Sequence, residues 1–225
     1  MLDHTTALSS IEATLLGANV SKEAIESLAS RVVKYGFHGV CVAPSRVKLA
    51  ASLLLGTRGV VVSVAGFPLG NTLSETKARE VGDILDKGAS EVDMVINVGA
   101  FLDGDEKLVA REIAEARRVA GEATLKIILE TGYLTCEEIM RAGAIAVGEG
   151  ADFLKTSTGF GPRGATIEDV KALSAIPGVK GVKASGGIRD AEKMLSLLAA
   201  GASRIGTSSD EKIAKELSAL NLSSG

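Results

Sequence analysis

Short apolar runs alternate with amphipathic segments from one end of the chain to the other, and that alternation limits the folds open to it. The runs are GVCVA at 39–43, VVVSVA at 60–65, EVDMVINV at 91–98, LKIILE at 125–130, DFLK at 152–155, KGVKA at 180–184 and RIGT at 204–207. They are too short for helices and read as strands buried on both faces. The segments between them carry helical spacing. Ile25, Leu28, Ala29, Val32 and Val33 recur at i, i+3, i+4 and predict one buried helix face. Thr135-Cys136-Glu137-Glu138 reads as a capping box before a helix over 139–147, and Thr166-Ile167-Glu168-Asp169 resembles one before 170–176. Buried strands alternating with helices make a parallel sheet covered by helices. An eighth strand is expected at residues 2–5 (LDHT). Eight βα units in 225 residues point to a compact (β/α)8 TIM barrel, one domain over 1–225, with an open doubly wound sheet as the alternative.

A weak repeat aligns the strands. Helix-ending glycines precede most of them: Gly36, Gly88, Gly121, Gly150, Gly178 and Gly201. Five residues beyond these stand Cys41, Asp93, Lys126, Lys155, Lys183 and Gly206. Unpaired charges are costly to bury, so charges recurring at one strand position suggest a common interior. An equal offset favours an equal face of each strand. In a barrel that face meets the site at the strands' C-terminal ends.

Composition narrows the partners. A net charge of −3 without a basic run argues against nucleic acid and anionic membranes. No apolar stretch approaches a membrane span, and the N-terminus lacks a signal-peptide layout, so a soluble cytoplasmic protein is expected. Cys41 and Cys136 form no close-spaced motif, and His4 and His38 are too few and too scattered for a metal site. No metal is expected.

Two loops look suited to an anion. Gly186-Gly187-Ile188 follows the strand of Lys183, and Gly206-Thr207-Ser208-Ser209 opens the last helix. Glycines expose backbone N–H groups, and helix starts carry partial positive charge. Each alone is more often an ordinary helix start. Together, after strands 7 and 8, they favour a phosphate site, to which Arg189 adds charge and from which an inward Asp210 would subtract it. Gly159-Phe160-Gly161-Pro162-Arg163-Gly164 matches G-x-G-x-x-G but lacks the acidic residue a dinucleotide fold requires, so it reads as a βα loop near phosphate.

The lysines carry the chemistry. A lone lysine on an apolar strand usually snorkels to the rim. Lys155 and Lys183, on neighbouring strands, are expected to face one interior, each depressing the other's pKa. A neutral amine attacks a carbonyl to form a Schiff base. Asp93 would move protons through water, and Lys126 would add positive charge, although each has a bland reading as the other's ion-pair partner. Cys41 reads as a small buried core residue.

The motifs together resemble the deoxyribose-phosphate aldolases, class I Schiff-base enzymes on a (β/α)8 barrel. The similarity runs through LDHT at 2–5, VAGFPLG at 64–70, EVDMVINVGA from 91, KIILETGYL from 126, DFLKTSTGFG from 152, VKASGGIRD from 182 and RIGTSS from 204. It implies reversible cleavage of 2-deoxy-D-ribose 5-phosphate to acetaldehyde and D-glyceraldehyde 3-phosphate, in deoxynucleoside catabolism. It implies Lys155 as the Schiff-base lysine, Lys183 as the lysine that lowers its pKa and Asp93 as the proton relay. Gly159, Gly186, Gly187, Gly206, Ser208 and Ser209 match the phosphate-binding loops, Lys126, Asp3, Thr158 and Cys41 would stand behind the site, and the resemblance implies neither a metal nor an organic cofactor. The partners implied are the phosphosugar and acetaldehyde, with a homo-oligomer, dimer or tetramer, expected. Another Schiff-base phosphosugar aldolase or isomerase is the alternative, and a non-catalytic phosphosugar binder ranks behind both. Several departures stand out. The chain begins directly at LDHT without a preceding helix, residues 6–20 are apolar and Ser-rich, Phe160 follows the KTSTG motif where some members carry lysine, and residues 221–225 lack a terminal tyrosine.

Overall fold

A computed structural model describes residues 3–222. Eight parallel strands form a closed barrel in sequence order: β1 (Ile11–Leu15), β2 (Gly39–Val42), β3 (Val60–Ala65), β4 (Glu91–Val95), β5 (Thr124–Ile128), β6 (Phe153–Lys155), β7 (Gly181–Ser185) and β8 (Arg204–Thr207). β8 pairs back onto β1, with Ile11 opposite Ile205 and Ala13 opposite Thr207. Helix α1 (His4–Ser9) precedes β1. After successive strands come α2 (Lys22–Tyr35), α3 (Val47–Leu54), α4 (Ser74–Asp86), the short α5 (Val98–Leu102) with α6 (Glu106–Ala120), α7 (Cys136–Gly148), α8 (Ile167–Ser174), α9 (Ala191–Ala199) and α10 (Asp210–Leu222).

Local chemistry explains why the units repeat. Both capping boxes form: Thr135 and Glu138 satisfy each other's backbone N–H at the start of α7, as do Thr166 and Asp169 at α8. The six helix-ending glycines all have positive φ, between 56° and 115°. That conformation ends the helix and turns the chain into the next strand. On α2, Ile25, Leu28, Ala29 and Val32 are buried as expected, but Val33 is 57% exposed. It falls at the edge of the stripe and turns past the barrel wall.

The first strand is the main correction. Residues 3–5 of the expected strand lie at the start of α1, and Leu2 lies outside the described residues. Asp3 is the helix N-cap, with its carboxylate accepting from the Thr6 N–H at 2.9 Å. The strand is instead IEATL in the segment first read as an apolar, Ser-rich connection. A helix therefore does precede the barrel, contrary to expectation. Its Ala7 and Leu8 are buried, and the adjoining Ser10 carbonyl accepts from Ile205 N–H. The differing C-terminus at 221–225 falls largely outside the described residues.

Alternation across each strand sorts two environments. Val40, Val42, Val92, Met94, Leu125, Ile127, Val182 and Ala184 pack outward beneath the helices in the main core. The residues between them face the barrel axis. On the β2–β3 side that interior is apolar, formed by Cys41, Val62 and Val64. On the remaining strands it is charged.

Candidate active site

The positions five residues beyond the glycines converge as the register requires. Asp93 pairs with Lys126 across β4–β5, and Lys155 with Lys183 across β6–β7. Their side chains meet at one carboxylate. Lys155 Nζ and Lys183 Nζ donate to Asp93 Oδ2 at 2.8 and 2.6 Å, and Lys126 Nζ donates to Oδ1 at 3.0 Å. Asp93, Lys126 and Lys183 have no solvent exposure, while Lys155 is 2% exposed and reaches the floor of a cavity.

Two further carboxylates complete the cluster, and sequence reasoning missed both as site residues. Glu12 of β1 accepts from Lys183 and lies 3.5 Å from Lys126 and 3.7 Å from Arg204. Glu91, the first residue of β4, lies 2.5 Å from Lys126 and accepts from His38 Nε2 at 2.9 Å. Misplacing β1 concealed Glu12. The signal for it was the alternation Ile11-Glu12-Ala13-Thr14-Leu15, polar inward and apolar outward. His38 is accordingly not the isolated histidine its place in the sequence suggested. Glu12, His38 and Glu91 put one ligand atom each within 4.8 Å of one another, but both carboxylates already face the Lys126 ammonium, at 3.5 and 2.5 Å.

The electrostatics follow from burial opposed by pairing. Burial pushes the Asp93 carboxyl up, but Lys126, Lys155 and Lys183 outweigh it and hold the group well below the usual carboxylate range. Burial pushes Lys126 and Lys183 down, but Asp93 and Glu12 reverse this and raise both, Lys183 strongly. For Lys183 this corrects the expected depression. Asp93 sits between Lys155 and Lys183 and, with Glu12, holds Lys183 as an ammonium. Burial also pushes Glu91 up, yet the His38 hydrogen bond and the Lys126 charge bring it down to about 2. Cys41 is fully buried near Glu12 and Asp93, and burial pushes its thiol up, in keeping with a packing residue.

Above the cluster lies a cavity of about 310 Å³ bounded by Lys155, Thr158, Gly159, Gly186, Gly187 and Ser208, with Arg189 and Gly206 at its edges. The expected anion loops therefore open beside Lys155. Close backbone approach packs the β6 loop against the first of them: a Cβ on Gly164 would sit 2.0 Å from the Gly186 carbonyl oxygen. Gly206 leaves room for a neighbour, since a Cβ there would stand 3.1 Å from Lys183 Cε. Ser209 turns its N–H onto Thr207 Oγ1 at 2.9 Å. Asp210 does not discharge the site, because Arg31 Nε binds both its oxygens at 3.0–3.1 Å.

Glu130 was also missed. It adopts a left-handed conformation (φ 53°) after β5, and its carboxylate accepts from the Thr158 N–H at 3.1 Å and from the Thr158 hydroxyl. Strain of this kind persists where surrounding contacts fix it, and here it ties the β5 and β6 loops over the cavity. A wider groove of about 900 Å³ lies along α4, lined by Phe67, Glu75, Arg79 and Asp83 among others. It is larger, but Lys126, Lys155 and Lys183 do not line it, so the smaller cavity is the candidate active site.

The match to known proteins now decides the family. Residues 1–210 match the DeoC/LacD family aldolase profile. The chain belongs to the DeoC/LacD aldolase family. Within it, a deoxyribose-phosphate aldolase of Thermoanaerobacter sp. (strain X514) is 46% identical over 217 residues, covering 95% of this chain and 97% of the relative. One from Thermococcus gammatolerans is 50% identical over 208 residues, covering 90% and 92%. Among solved structures, the aldolase QR15 superposes with a TM-score of 0.91 at 41% identity, covering 96% of this chain and 97% of that one. A tetrameric deoxyribose-phosphate aldolase from Aeropyrum pernix gives 0.90 at 31%, covering 97% and 93%. Among the described residues, no helix of this DeoC/LacD family member is long and apolar enough to cross a membrane.

Proposed function

We propose that the chain cleaves 2-deoxy-D-ribose 5-phosphate reversibly to acetaldehyde and D-glyceraldehyde 3-phosphate through a Schiff base on Lys155, within one (β/α)8 domain over 1–225. The observation that carries this reading is the place of the Lys155 ammonium, at the floor of the cavity and against Asp93 alone. The buried cluster sets three carboxylates (Glu12, Glu91, Asp93) against three lysines, with Arg204 adding positive charge near Glu12. One lysine can therefore give up its proton and leave the cluster balanced. Lys126 and Lys183 each face more than one carboxylate, whereas Lys155 faces one and borders the cavity.

In the cleavage direction, the neutral Lys155 amine adds to C1 of the open-chain sugar and loses water to give a protonated imine. Asp93 lies within hydrogen-bond distance of that nitrogen, and through water it takes the proton from the C3 hydroxyl. The C2–C3 bond breaks, C3 leaves as the aldehyde of glyceraldehyde 3-phosphate, and the bonding electrons pass to the imine as an enamine. Protonation at C2 and hydrolysis release acetaldehyde and restore Lys155. Lys183 keeps its charge throughout and keeps Asp93 ionised until Asp93 takes up the C3 hydroxyl proton, which it can return through water to C2. The Gly186, Gly187 and Ser208 loops suit the phosphate, at a distance that leaves C1 over Lys155.

The naming of the curated relatives supports this substrate over a different phosphosugar. The reading places the enzyme in the cytoplasm as a homo-oligomer. Incubation with acetaldehyde and borohydride tests the nucleophile: an ethyl adduct should map to Lys155. An adduct on Lys183, or none, overturns the assignment. A panel of phosphorylated sugars tests the substrate, and no preference for deoxyribose 5-phosphate would favour another aldolase or an isomerase.

A further inference from the structure

A line of charged groups leaves the catalytic end of the barrel and reaches its floor. Lys155 meets Asp93 Oδ2 at 2.8 Å, and Asp93 Oδ1 meets Lys126 at 3.0 Å. Lys126 lies 2.5 Å from Glu91 Oε2, and Glu91 Oε1 lies 2.9 Å from His38 Nε2. Glu91 begins β4 and His38 immediately precedes β2, so both stand at the end of the barrel opposite the cavity. We propose that His38 is a positioning residue for the aldol reaction, fixing the orientation of the Asp93 carboxylate beneath Lys155 by way of Glu91 and Lys126. The proposal rests on the Schiff-base reading above.

The two oxygens of Asp93 have separate holds. Lys155 and Lys183 crowd onto Oδ2, and Lys126 alone binds Oδ1. The tilt of the carboxylate therefore depends on where Lys126 places its ammonium. Three acids draw on that ammonium: Asp93, Glu91 and, at 3.5 Å, Glu12. Glu91 Oε2 and Glu12 Oε1 lack a well-aligned hydrogen bond, so both act on Lys126 through charge. A lysine ammonium is a compact charge on a flexible stem and follows the nearest anion.

His38 settles that competition. With its proton on Nε2, the imidazole donates to Glu91 Oε1, fixes the plane of the carboxylate and takes up part of its charge. Glu91 is then held at the floor and pulls less on Lys126, leaving Lys126 within reach of Asp93. Without the imidazole, Glu91 turns freely at the strand end and draws Lys126 down the axis. Asp93 then loses its hold on Oδ1, directly under the reacting nitrogen. Small displacements of a group at the reaction centre are costly even when the mutation lies far from it.

The test compares wild type with His38→Ala and His38→Gln, each also in a Glu91→Gln background. The readouts are kcat, KM for deoxyribose 5-phosphate and the borohydride-trapped adduct on Lys155. His38→Ala should lower kcat between about 10- and 100-fold, with KM within about twofold and the adduct still on Lys155. His38→Gln can place an amide N–H where Nε2 stands and should recover most of the rate. In the Glu91→Gln background, losing His38 should cost nothing more, because the coupling between the two is gone. An unchanged kcat in His38→Ala overturns the proposal. So do equal losses in both His38 variants, which mean a packing role, and losses that add in the Glu91→Gln background. A wild type without turnover or adduct overturns the Schiff-base reading itself. An active, trappable wild type beside an indifferent His38→Ala overturns only the role of His38.

Discussion

Lys155 and Lys183 converge on the same oxygen of Asp93, at 2.8 and 2.6 Å. The two lysines are thus coupled through a shared anion as well as by mutual repulsion. In Lys183→Leu, Lys155 keeps Asp93 Oδ2 to itself and its ammonium is held more firmly. Turnover near neutrality should fall by at least about 100-fold, and the acid limb of the pH–rate profile should move to higher pH. Glu12 also loses its main partner in the variant, so thermal unfolding should come earlier by an amount equivalent to about 3 kcal/mol or more. A profile whose acid limb stays in place would mean that Lys183 does not tune the nucleophile.

The proposed phosphate loops predict a separable effect. Gly186 has φ 89°, and a Cβ there would stand 2.9 Å from Gly164 Cα and 3.3 Å from Ser157 Cβ. Gly186→Ala must push the β6 and β7 loops apart. KM for deoxyribose 5-phosphate should rise at least about tenfold, which is ~1.4 kcal/mol of binding. Trapping with acetaldehyde, which carries no phosphate, should stay near the wild-type level. Equal losses in both assays would show that the loops support Lys155 and do not serve phosphate alone.

Outside the barrel, Lys77 of α4 and Glu112 of α6 form a buried ion pair at 2.8 Å, with Ser74 Oγ donating to the other Glu112 oxygen at 3.2 Å. Burial pushes the Lys77 ammonium pKa down, only partly offset by Glu112. Glu112→Ala leaves that ammonium uncompensated and should cost about 3–5 kcal/mol, read as a lowered urea midpoint. The double variant Lys77→Met with Glu112→Leu should recover most of the loss. In both, kcat of the folded fraction should match wild type. A Glu112→Ala midpoint close to wild type would mean that water reaches the pair.

Acid stability has a defined sign. The Glu91 carboxyl moves from 4.5 to about 2 on folding. A depressed carboxyl contributes stability that is complete above its unfolded value and is lost as pH falls through the folded one. The loss should therefore run from about pH 5 down to about pH 2, with Glu91 supplying no more than about 3 kcal/mol, shared with its partners. Asp93 is also depressed and acts in the same direction. Urea midpoints measured across this range should fall with pH, and the slope should be shallower in Glu91→Gln. An equal slope in the variant would assign the acid sensitivity elsewhere.

Much of the active end was legible because the repeat is local. A glycine of positive φ stands between helix and strand in six of the units and restarts the count, so Asp93, Lys126, Lys155 and Lys183 fall at related depths and face the axis. Strand β1 was not legible because Asp3-His4-Thr5 supplied a local motif match that outweighed spacing. Placing the strand there leaves some sixteen residues without structure before α2, long for a βα connection, and that gap was the available warning. Glu12 was lost with the strand. Glu91 was read as a strand residue, but its partnership with Lys126 and His38 depends on side-chain reach across neighbouring strands, which spacing does not reveal. The Lys77–Glu112 pair joins two helices 35 positions apart, and each residue by itself resembles an ordinary charge on a helix.

Helix α1 meets α10 at the floor of the barrel, where His4 Nε2 lies 3.4 Å from Ser218 Oγ. The first and last elements thus dock on one side, and the cavity opens on the other. Tethering the enzyme to a bead or electrode through this end of the barrel would orient every molecule alike, with the mouth facing the bulk solution and the support behind it. An immobilised layer made this way should retain the KM of the free enzyme. Attachment through lysines near the mouth, such as Lys193 or Lys212, would turn part of the population toward the support.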